Sequence, residues 1–139
     1  MVQFSLSKQQ KMLKDEVSRV VRDLVVENAH DMDESGEIPP EMLQKIWEMG
    51  LCISQVPETY GGFGLTPSPL ENVLAIEELA YGDVSVAVAS LLPSLFIVPI
   101  MEMGTPAQQE KFLPLACPEK YPGLTLALNE PAIGFDPVR

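Results

Sequence analysis

The sequence has little of the chemistry that metal sites and disulfide frameworks need. Among its 139 residues are one histidine and two cysteines. Cys52 and Cys117 stand far apart and form no CxxC pair, so we expect two reduced thiols. His30 has no partner at ligand spacing and is expected at a helix end instead of on a metal. The composition therefore predicts no metal site.

Basic residues are also few, at nine against twenty acidic ones, and the formal net charge is −11. This balance argues against broad contact with nucleic acid phosphates or anionic membrane surfaces. The N-terminal MVQFSLSKQQ lacks the apolar centre of a signal peptide, so we expect a cytoplasmic protein, or a mitochondrial matrix protein if the source is eukaryotic. Five basic residues near the N-terminus are interpreted as the solvated face of a helix and not as a phosphate site: Lys8, Lys11, Lys14, Arg19 and Arg22.

One stretch, residues 84–101, has no charge at all and is about long enough to span a bilayer. Pro93 and Pro99 lie inside it, and its flanks, Asp83 and Glu102, show no Lys/Arg asymmetry. We therefore predict a buried helix, kinked or split by the prolines, and no membrane span. A helix that is apolar all round suits the centre of a larger protein, so in a small domain another surface should cover it.

Capping signals and apolar spacing predict helices over most of the chain. Ser7 and Gln10 form a capping box, and the helix that they begin should fade near Ala29. The Pro-Pro pair at 39–40 opens a second helix, which Gly50 ends. The apolar stripe of the first helix has seven members at three-and-four spacing: Met12, Leu13, Val17, Val20, Val21, Leu24 and Val25.

The second half of the chain continues this pattern up to its last segment. Thr66 or Ser68 can begin a third helix, and Asp83 caps the long apolar helix. Residues 105–108 form another capping box, with proline at the first helical position. Residues 124–128 are predicted to form one terminal strand, which lacks a partner within this sequence.

No common catalytic motif is present, since the chain has no GxSxG, GxxxxGK[ST] or HExxH pattern. Residues 62–64 resemble the start of a dinucleotide fingerprint, but Pro67 stands where its third glycine belongs, so a Rossmann site is rejected. The loop 60–64 is interpreted as a turn that needs positive φ at glycines. The residues alone thus predict an acidic, mostly helical domain.

Four segments, however, resemble motifs of the acyl-CoA dehydrogenase family, in the family's order and spacing. PETYGGFGL at 57–65 is similar to PEEYGGLGL, and EELAYGD at 77–83 is similar to EELARGD. GTPAQQEKFLP at 104–114 resembles GTEEQKxxxLP, and NEPAIGFD at 129–136 resembles the flavin-site motif TEPxAGSD. Together they cover nearly the whole chain, which is therefore identified as resembling the N-terminal helical domain of that family.

The resemblance implies a mainly α fold with one terminal β-strand, in which residues 1–122 form the helical domain and residues 123–139 begin a middle β-domain. In the family, these domains and a C-terminal helical bundle enclose FAD and an acyl-CoA. A glutamate takes the α-proton while the β-hydride passes to the flavin, and that glutamate belongs to the bundle. Glu77, Glu78 and Glu130 do not match it. We therefore expect no catalytic residue in this chain, which should be inactive unless another polypeptide supplies the missing half.

By position, Leu128 and Asn129 match the residues whose backbone N–H groups and threonine hydroxyl meet the flavin, with asparagine in place of threonine. Gly134 and Phe135 match positions beside the acyl-CoA. Phe135 replaces a serine, which is read as drift within the family, a redirected substrate, or a non-catalytic subunit. The family's acyl-chain wall corresponds to residues that core packing alone would equally explain: Leu92, Leu95, Phe96 and Pro99.

Three functions therefore compete. The first is the N-terminal part of a flavin-dependent acyl-CoA dehydrogenase, with FAD as cofactor and acyl-CoA as substrate. The second is a non-catalytic assembly subunit or truncated remnant, as a homo-oligomer or as the complement of a missing C-terminal half. The third is a sibling enzyme that adds oxygen or nitro groups through the same flavin scaffold.

Overall fold

The computed structural model describes residues 5–127, and helices make up most of them. The six α-helices are α1 (Lys8–Val20), α2 (Ala29–Ser35), α3 (Pro40–Trp47), α4 (Pro69–Gly82), α5 (Val84–Met103) and α6 (Pro106–Phe112). A π-helical turn (Val21–Val25) and a 3-10 turn (Val26–Asn28) join α1 to α2. Two more 3-10 turns lie at Glu58–Tyr60 and Pro114–Ala116.

The predicted start of α1 is confirmed. The Ser7 hydroxyl accepts a hydrogen bond from the Gln10 backbone N–H at 3.1 Å, and the Gln10 side chain accepts one from the Ser7 N–H at 2.9 Å. These bonds pair two N–H groups that the first helical turn leaves without backbone partners.

The prediction that this helix fades near Ala29 is wrong, because helical structure continues through the polar run to Ser35. Met32 is buried in the core and anchors that run, although its neighbours on both sides are exposed. Gly36, with φ +69°, then ends it in the left-handed conformation that favours glycine. His30 lies in the first turn of α2, at a helix end as expected.

The starts of α3, α4 and α5 follow the expected residues, whereas α3 ends at Trp47, before the predicted end at Gly50. α3 begins at Pro40 and is followed by a turn in which Gly50 has φ +71°. Of the two candidate caps for α4, Ser68 is the one used, accepting from the Glu71 N–H at 3.4 Å. The Asp83 carboxylate accepts from the Val86 N–H at 2.9 Å and begins α5.

The predicted terminal strand is not found. Residues 124–127 form no strand, and no strand occurs anywhere in residues 5–127. The backbone N–H of Leu124 bonds locally to the Pro122 carbonyl at 2.7 Å. A strand needs a neighbouring strand for its ladder of hydrogen bonds, and the described residues offer none. Residue 128 lies outside them.

Buried side chains form two hydrophobic clusters, and both α3 and α5 contribute to each. The first cluster gathers α1, the π-turn, α2 and α4 around ten buried residues: Val17, Val21, Val25, Met32, Met42, Ile46, Ala75, Leu79, Val86 and Ala87. The second gathers the loop after α3 and the end of the helical region around six: Trp47, Ile53, Val56, Ile97, Leu113 and Ala116.

The expectation of a buried α5 holds for one face of the helix only. That face packs against α3, α4 and α6. The opposite side carries a stripe at four-and-three spacing, exposed except for the half-buried Leu91, which we call the α5 stripe: Val84, Val88, Leu91, Leu95 and Val98. By length and composition alone, α5 could cross a membrane, and only 28% of its most apolar window is buried. The helix runs unbroken through both prolines, so they do not split it.

Candidate functional site

The glycine-rich loop at 57–65 closes one end of the candidate site. Gly61 and Gly64 have φ of +96° and +61°, which confirms that the loop uses left-handed backbone at glycines. Three backbone N–H groups of the loop bond back to the turn after α3: Phe63 to the Ile53 carbonyl at 3.3 Å, Gly64 to Val56 at 2.8 Å and Leu65 to Ser54 at 2.9 Å. The loop is therefore held close to that turn, and Phe63 and Leu65 reach the cavity beside it.

This cavity has a volume of about 830 Å³ and lies between α1, the residues after α3, the glycine-rich loop, α4 and α5. Among the lining side chains that the structure describes, Lys8 is the only cation, and Glu16 and Glu71 are the two anions. The larger apolar side chains in its lining are Met12, Leu13, Met49, Leu51, Phe63, Leu65, Ile76, Leu91, Leu95, Ile97, Val98 and Met101. The cavity therefore suits an apolar occupant more than an ionic one.

The structure brings only one of the four α5 residues predicted for an acyl-chain wall to this cavity. Leu95 lines it, whereas Leu92, Phe96 and Pro99 do not. Phe96 packs against the second cluster and meets the ring of Phe112 edge to face, with centroids 6.4 Å apart. The remaining predicted site residues, Leu128, Asn129, Gly134 and Phe135, lie outside the described residues.

Other lining residues were not predicted from the sequence as site residues. Met12 belongs to the α1 stripe but is 62% exposed and faces the cavity instead of the core. Ile76 and Val98 are exposed apolar residues on helices that are apolar on more than one side. That excess of apolar surface was the available signal, because a helix in a lone small domain needs only one apolar stripe.

The lining also includes the thiol of Cys52. Its Sγ donates to the Ser90 carbonyl at 3.4 Å. Burial raises the pKa of the Cys52 thiol, and hydrogen bonds with Ser94 oppose this only in part. Burial also raises the pKa of Cys117. Both thiols are therefore held in the neutral form, which is a poor nucleophile.

The carboxylates of α4 that resemble the family motif point to α1 and not to the cavity. Lys14 lies 3.2 Å from Glu78 and 3.9 Å from Glu77. Neither glutamate lines the cavity. Across the part of the chain that the structure describes, no group of three His, Cys, Asp or Glu side chains could hold a metal ion.

The segment that leads toward the motif at 129–136 is fastened to α3 and α5. The Trp47 indole N–H donates to the Pro118 carbonyl at 3.0 Å. The Gln44 amide donates to the Glu119 carbonyl at 3.0 Å and accepts from the Tyr121 backbone N–H at 2.8 Å. The Tyr121 hydroxyl adds a bond to the Ala89 carbonyl at 2.6 Å. Because four hydrogen bonds hold it, this segment leaves the helical region at a fixed place.

Comparison with known proteins agrees with this arrangement of helices. The family model described as "Acyl-CoA dehydrogenase, N-terminal domain" matches residues 7–123. The chain belongs to the acyl-CoA dehydrogenase family, and the matched part is its N-terminal domain.

One similar relative is the probable medium-chain specific acyl-CoA dehydrogenase 2, mitochondrial, of Caenorhabditis briggsae, at 34% identity over 96% of this chain and 32% of the relative. Butyryl-CoA dehydrogenase from Megasphaera elsdenii has a similar fold, with TM-score 0.73 and 28% identity over 84% of this chain and 31% of the other. A chain in a solved structure that concerns the electron transferring flavoprotein of Acidaminococcus fermentans is also similar. Its TM-score is 0.75, with 27% identity over 95% of this chain and 34% of the other. The chain spans about a third of the length of these proteins.

Proposed function

We propose that this chain supplies the N-terminal part of the active site of a flavin-dependent acyl-CoA dehydrogenase, which oxidises the α,β bond of an acyl-CoA thioester. The observation that carries the proposal is the apolar cavity beside α5 in a chain that belongs to this family. An acyl chain is an apolar ligand, and a cavity lined by aliphatic side chains lowers its free energy relative to water.

The lining supports different roles for different residues of α5. Leu95, with its neighbours Leu91 and Val98, faces the cavity and would contact the acyl chain. Leu92 and Pro99 are half-buried on the adjoining side and would extend this surface, while Phe96 would hold α5 in place through its contact with Phe112. All four predicted residues thus remain proposed contributors to the acyl side, in different ways.

FAD, when bound, would accept the hydride from the β-carbon. The groups proposed to hold it are the backbone N–H groups of Leu128 and Asn129 and the amide of Asn129, which are donors suited to the carbonyl oxygens and nitrogens of a flavin. Gly134 and Phe135 are proposed to lie beside the acyl-CoA. The base that takes the α-proton is proposed to come from a part of the enzyme outside these residues, since Glu77 and Glu78 contact Lys14 away from the cavity.

The first part of the α5 stripe favours an assembly in which another chain or domain covers it. Val84 and Val88 are exposed apolar residues that do not line the cavity, and a contiguous exposed apolar surface is typical of an interface. The proposed partner is the polypeptide that supplies the rest of the enzyme. The complete enzyme is further expected to form homo-oligomers. The same stripe favours the second candidate function, a non-catalytic assembly subunit. The mitochondrial relative supports a matrix location if the source is eukaryotic.

The test is complementation. The chain is expressed alone and together with the polypeptide that follows the matched region in the C. briggsae relative, and each preparation is measured for flavin absorbance, size and acyl-CoA oxidation with a dye acceptor. We expect the chain alone to be colourless and inactive. The joint preparation should hold flavin and oxidise an acyl-CoA.

A matched pair of variants controls for non-specific association. Val88→Asp puts a charge in the α5 stripe and should abolish the complex, whereas Ser85→Asp puts the same charge at an exposed position beside the stripe and should not. A flavin-bearing complex that never oxidises any acyl-CoA would favour the assembly subunit. A flavin-bearing monomer of the chain alone would exclude the assembly subunit. Oxidation of an acyl-CoA by that monomer would disprove the need for a second polypeptide.

A further inference from the structure

Pro93 leaves one carbonyl of α5 without its helical donor. Proline has no backbone N–H, so the Ala89 carbonyl, four residues earlier, cannot receive the usual hydrogen bond. A partly buried carbonyl without a donor destabilises a fold. The structure supplies a replacement from far along the chain, because the Tyr121 hydroxyl donates to the Ala89 carbonyl at 2.6 Å.

The hydroxyl of Tyr121 is held in place for this bond. The ring of Tyr121 meets the indole of Trp47 edge to face, with centroids 6.1 Å apart and planes at 80°. Its backbone N–H is fixed by the Gln44 side chain at 2.8 Å. Burial, with a smaller contribution from Cys52, raises the pKa of the Tyr121 phenol above its ordinary value. The phenol therefore keeps its proton and stays a donor at neutral pH.

We propose that Tyr121 is a positioning residue: its hydroxyl takes the place of the missing N–H of Pro93 and ties the segment at 117–127 to α5. This segment leads into the sequence at 129–136 that resembles the flavin-site motif, and α5 lines the cavity. One hydrogen bond would therefore fix the segment at 117–127 relative to α5. The effect on flavin rests on the proposed function. The bond between Tyr121 and α5 does not.

A double-mutant cycle tests the bond in the isolated chain. Tyr121→Phe removes the hydroxyl and keeps the ring, while Pro93→Ala restores an N–H that can bond to the Ala89 carbonyl. Hydrogen exchange is followed at two protons that report this segment, the backbone N–H at position 121 and the Trp47 indole N–H, with the Val86 N–H near the start of α5 as reference. Pro93 is fully buried, so Pro93→Ala loses packing but gains a helical hydrogen bond, and circular dichroism of all four proteins checks that each one folds.

With Pro93 present, Tyr121→Phe should speed exchange at both reporters by about tenfold relative to Val86, the effect of losing roughly one hydrogen bond. In the Pro93→Ala background the same change should have less than about a third of that effect, because the carbonyl is no longer without a donor. Equal effects in both backgrounds, no effect in either, or equal acceleration at Val86 would each overturn the proposal.

A second measurement tests the positioning role in the complemented complex. Tyr121→Phe should lower the flavin retained per complex, and adding Pro93→Ala should not restore it, because an N–H at position 93 bonds within α5 and does not tie the segment at 117–127 to that helix. Unchanged flavin content in Tyr121→Phe would overturn the positioning role. If no complex holds flavin at all, the proposed function fails instead, and the exchange cycle in the isolated chain still decides the Tyr121–Ala89 bond.

Discussion

Gly62 lies so close to the backbone carbonyl of Val56 that a Cβ on the glycine would overlap the carbonyl oxygen. Gly62→Ala should therefore destabilise the domain by about 1–3 kcal/mol, since the atom that it meets is backbone and cannot rotate away. The free energy of unfolding in urea measures this. Gly123→Ala is the control, because a Cβ there meets nothing within 4 Å. Similar free energies for the two variants would contradict the tight approach of the loop to Val56.

Asp83→Ala should lower stability by about 1 kcal/mol through loss of the α5 cap. The Asp83 carboxylate accepts from the Val86 N–H at 2.9 Å, and alanine leaves that donor without a side-chain partner. Asp33→Ala is a suitable control, since Asp33 is exposed within α2 and its replacement removes the same charge. If thermal unfolding shifts equally for both, charge and not capping explains the effect of Asp83.

Ile97→Ala and Val98→Ala, at neighbouring positions of α5, should have very different effects. Ile97 is 1% exposed, and its truncation should cost about 2–5 kcal/mol in unfolding free energy through lost burial and a cavity. Val98 is 48% exposed, so its truncation should change stability by no more than about 0.5 kcal/mol. Comparable losses would mean that α5 is buried on both faces. That outcome would remove the basis for the α5 stripe.

Both thiols should react slowly with iodoacetamide near pH 8 while the chain is folded. Burial raises the pKa of Cys52 and Cys117 above the ordinary 9.0, which lowers the fraction of reactive thiolate. Denaturant should remove this difference, and the variants Cys52→Ser and Cys117→Ser assign each rate. A folded chain that alkylates as fast as the unfolded one would refute the prediction.

The same raised values link stability to pH. A raised pKa means that the folded state holds the thiol proton more tightly than the unfolded state does. The contribution of the two thiols to the free energy of unfolding is therefore complete below pH 9 and is lost as the pH rises through their folded-state pKa. The free energy of unfolding of the native sequence should fall above about pH 9. In the double variant with both cysteines replaced by serine, the free energy of unfolding should fall less over the same pH range.

Local signals in the sequence were enough to place most helix boundaries. The Ser7–Gln10 and Thr105–Gln108 capping boxes are both formed, and Asp83 caps α5. These devices act over three residues, so the chain order alone specifies them. The continuation of helix to Ser35 was missed because one buried side chain, Met32, stabilises a run that is otherwise polar.

The candidate site was harder to predict, because its residues come together only in the folded chain. Met12, Phe63 and Leu95 lie far apart in sequence and line one cavity. The family resemblance pointed to α5 but not to which of its faces would be free, and of the four residues that it marked only Leu95 lies on the cavity. The partnership of Tyr121 with Ala89 spans 32 positions and has no signal in local spacing.

The division of the buried side chains into two clusters has a consequence for cooperativity. Val86 and Ala87 anchor the first part of α5 in one cluster, and Ile97 anchors the later part in the other. Neither cluster is large, so each depends on its neighbour being folded, and α5 is one of two helices that transmit that dependence. A destabilising substitution in α5 between these two sets of residues should therefore weaken both clusters together, so that the domain still unfolds in one transition at a lower free energy.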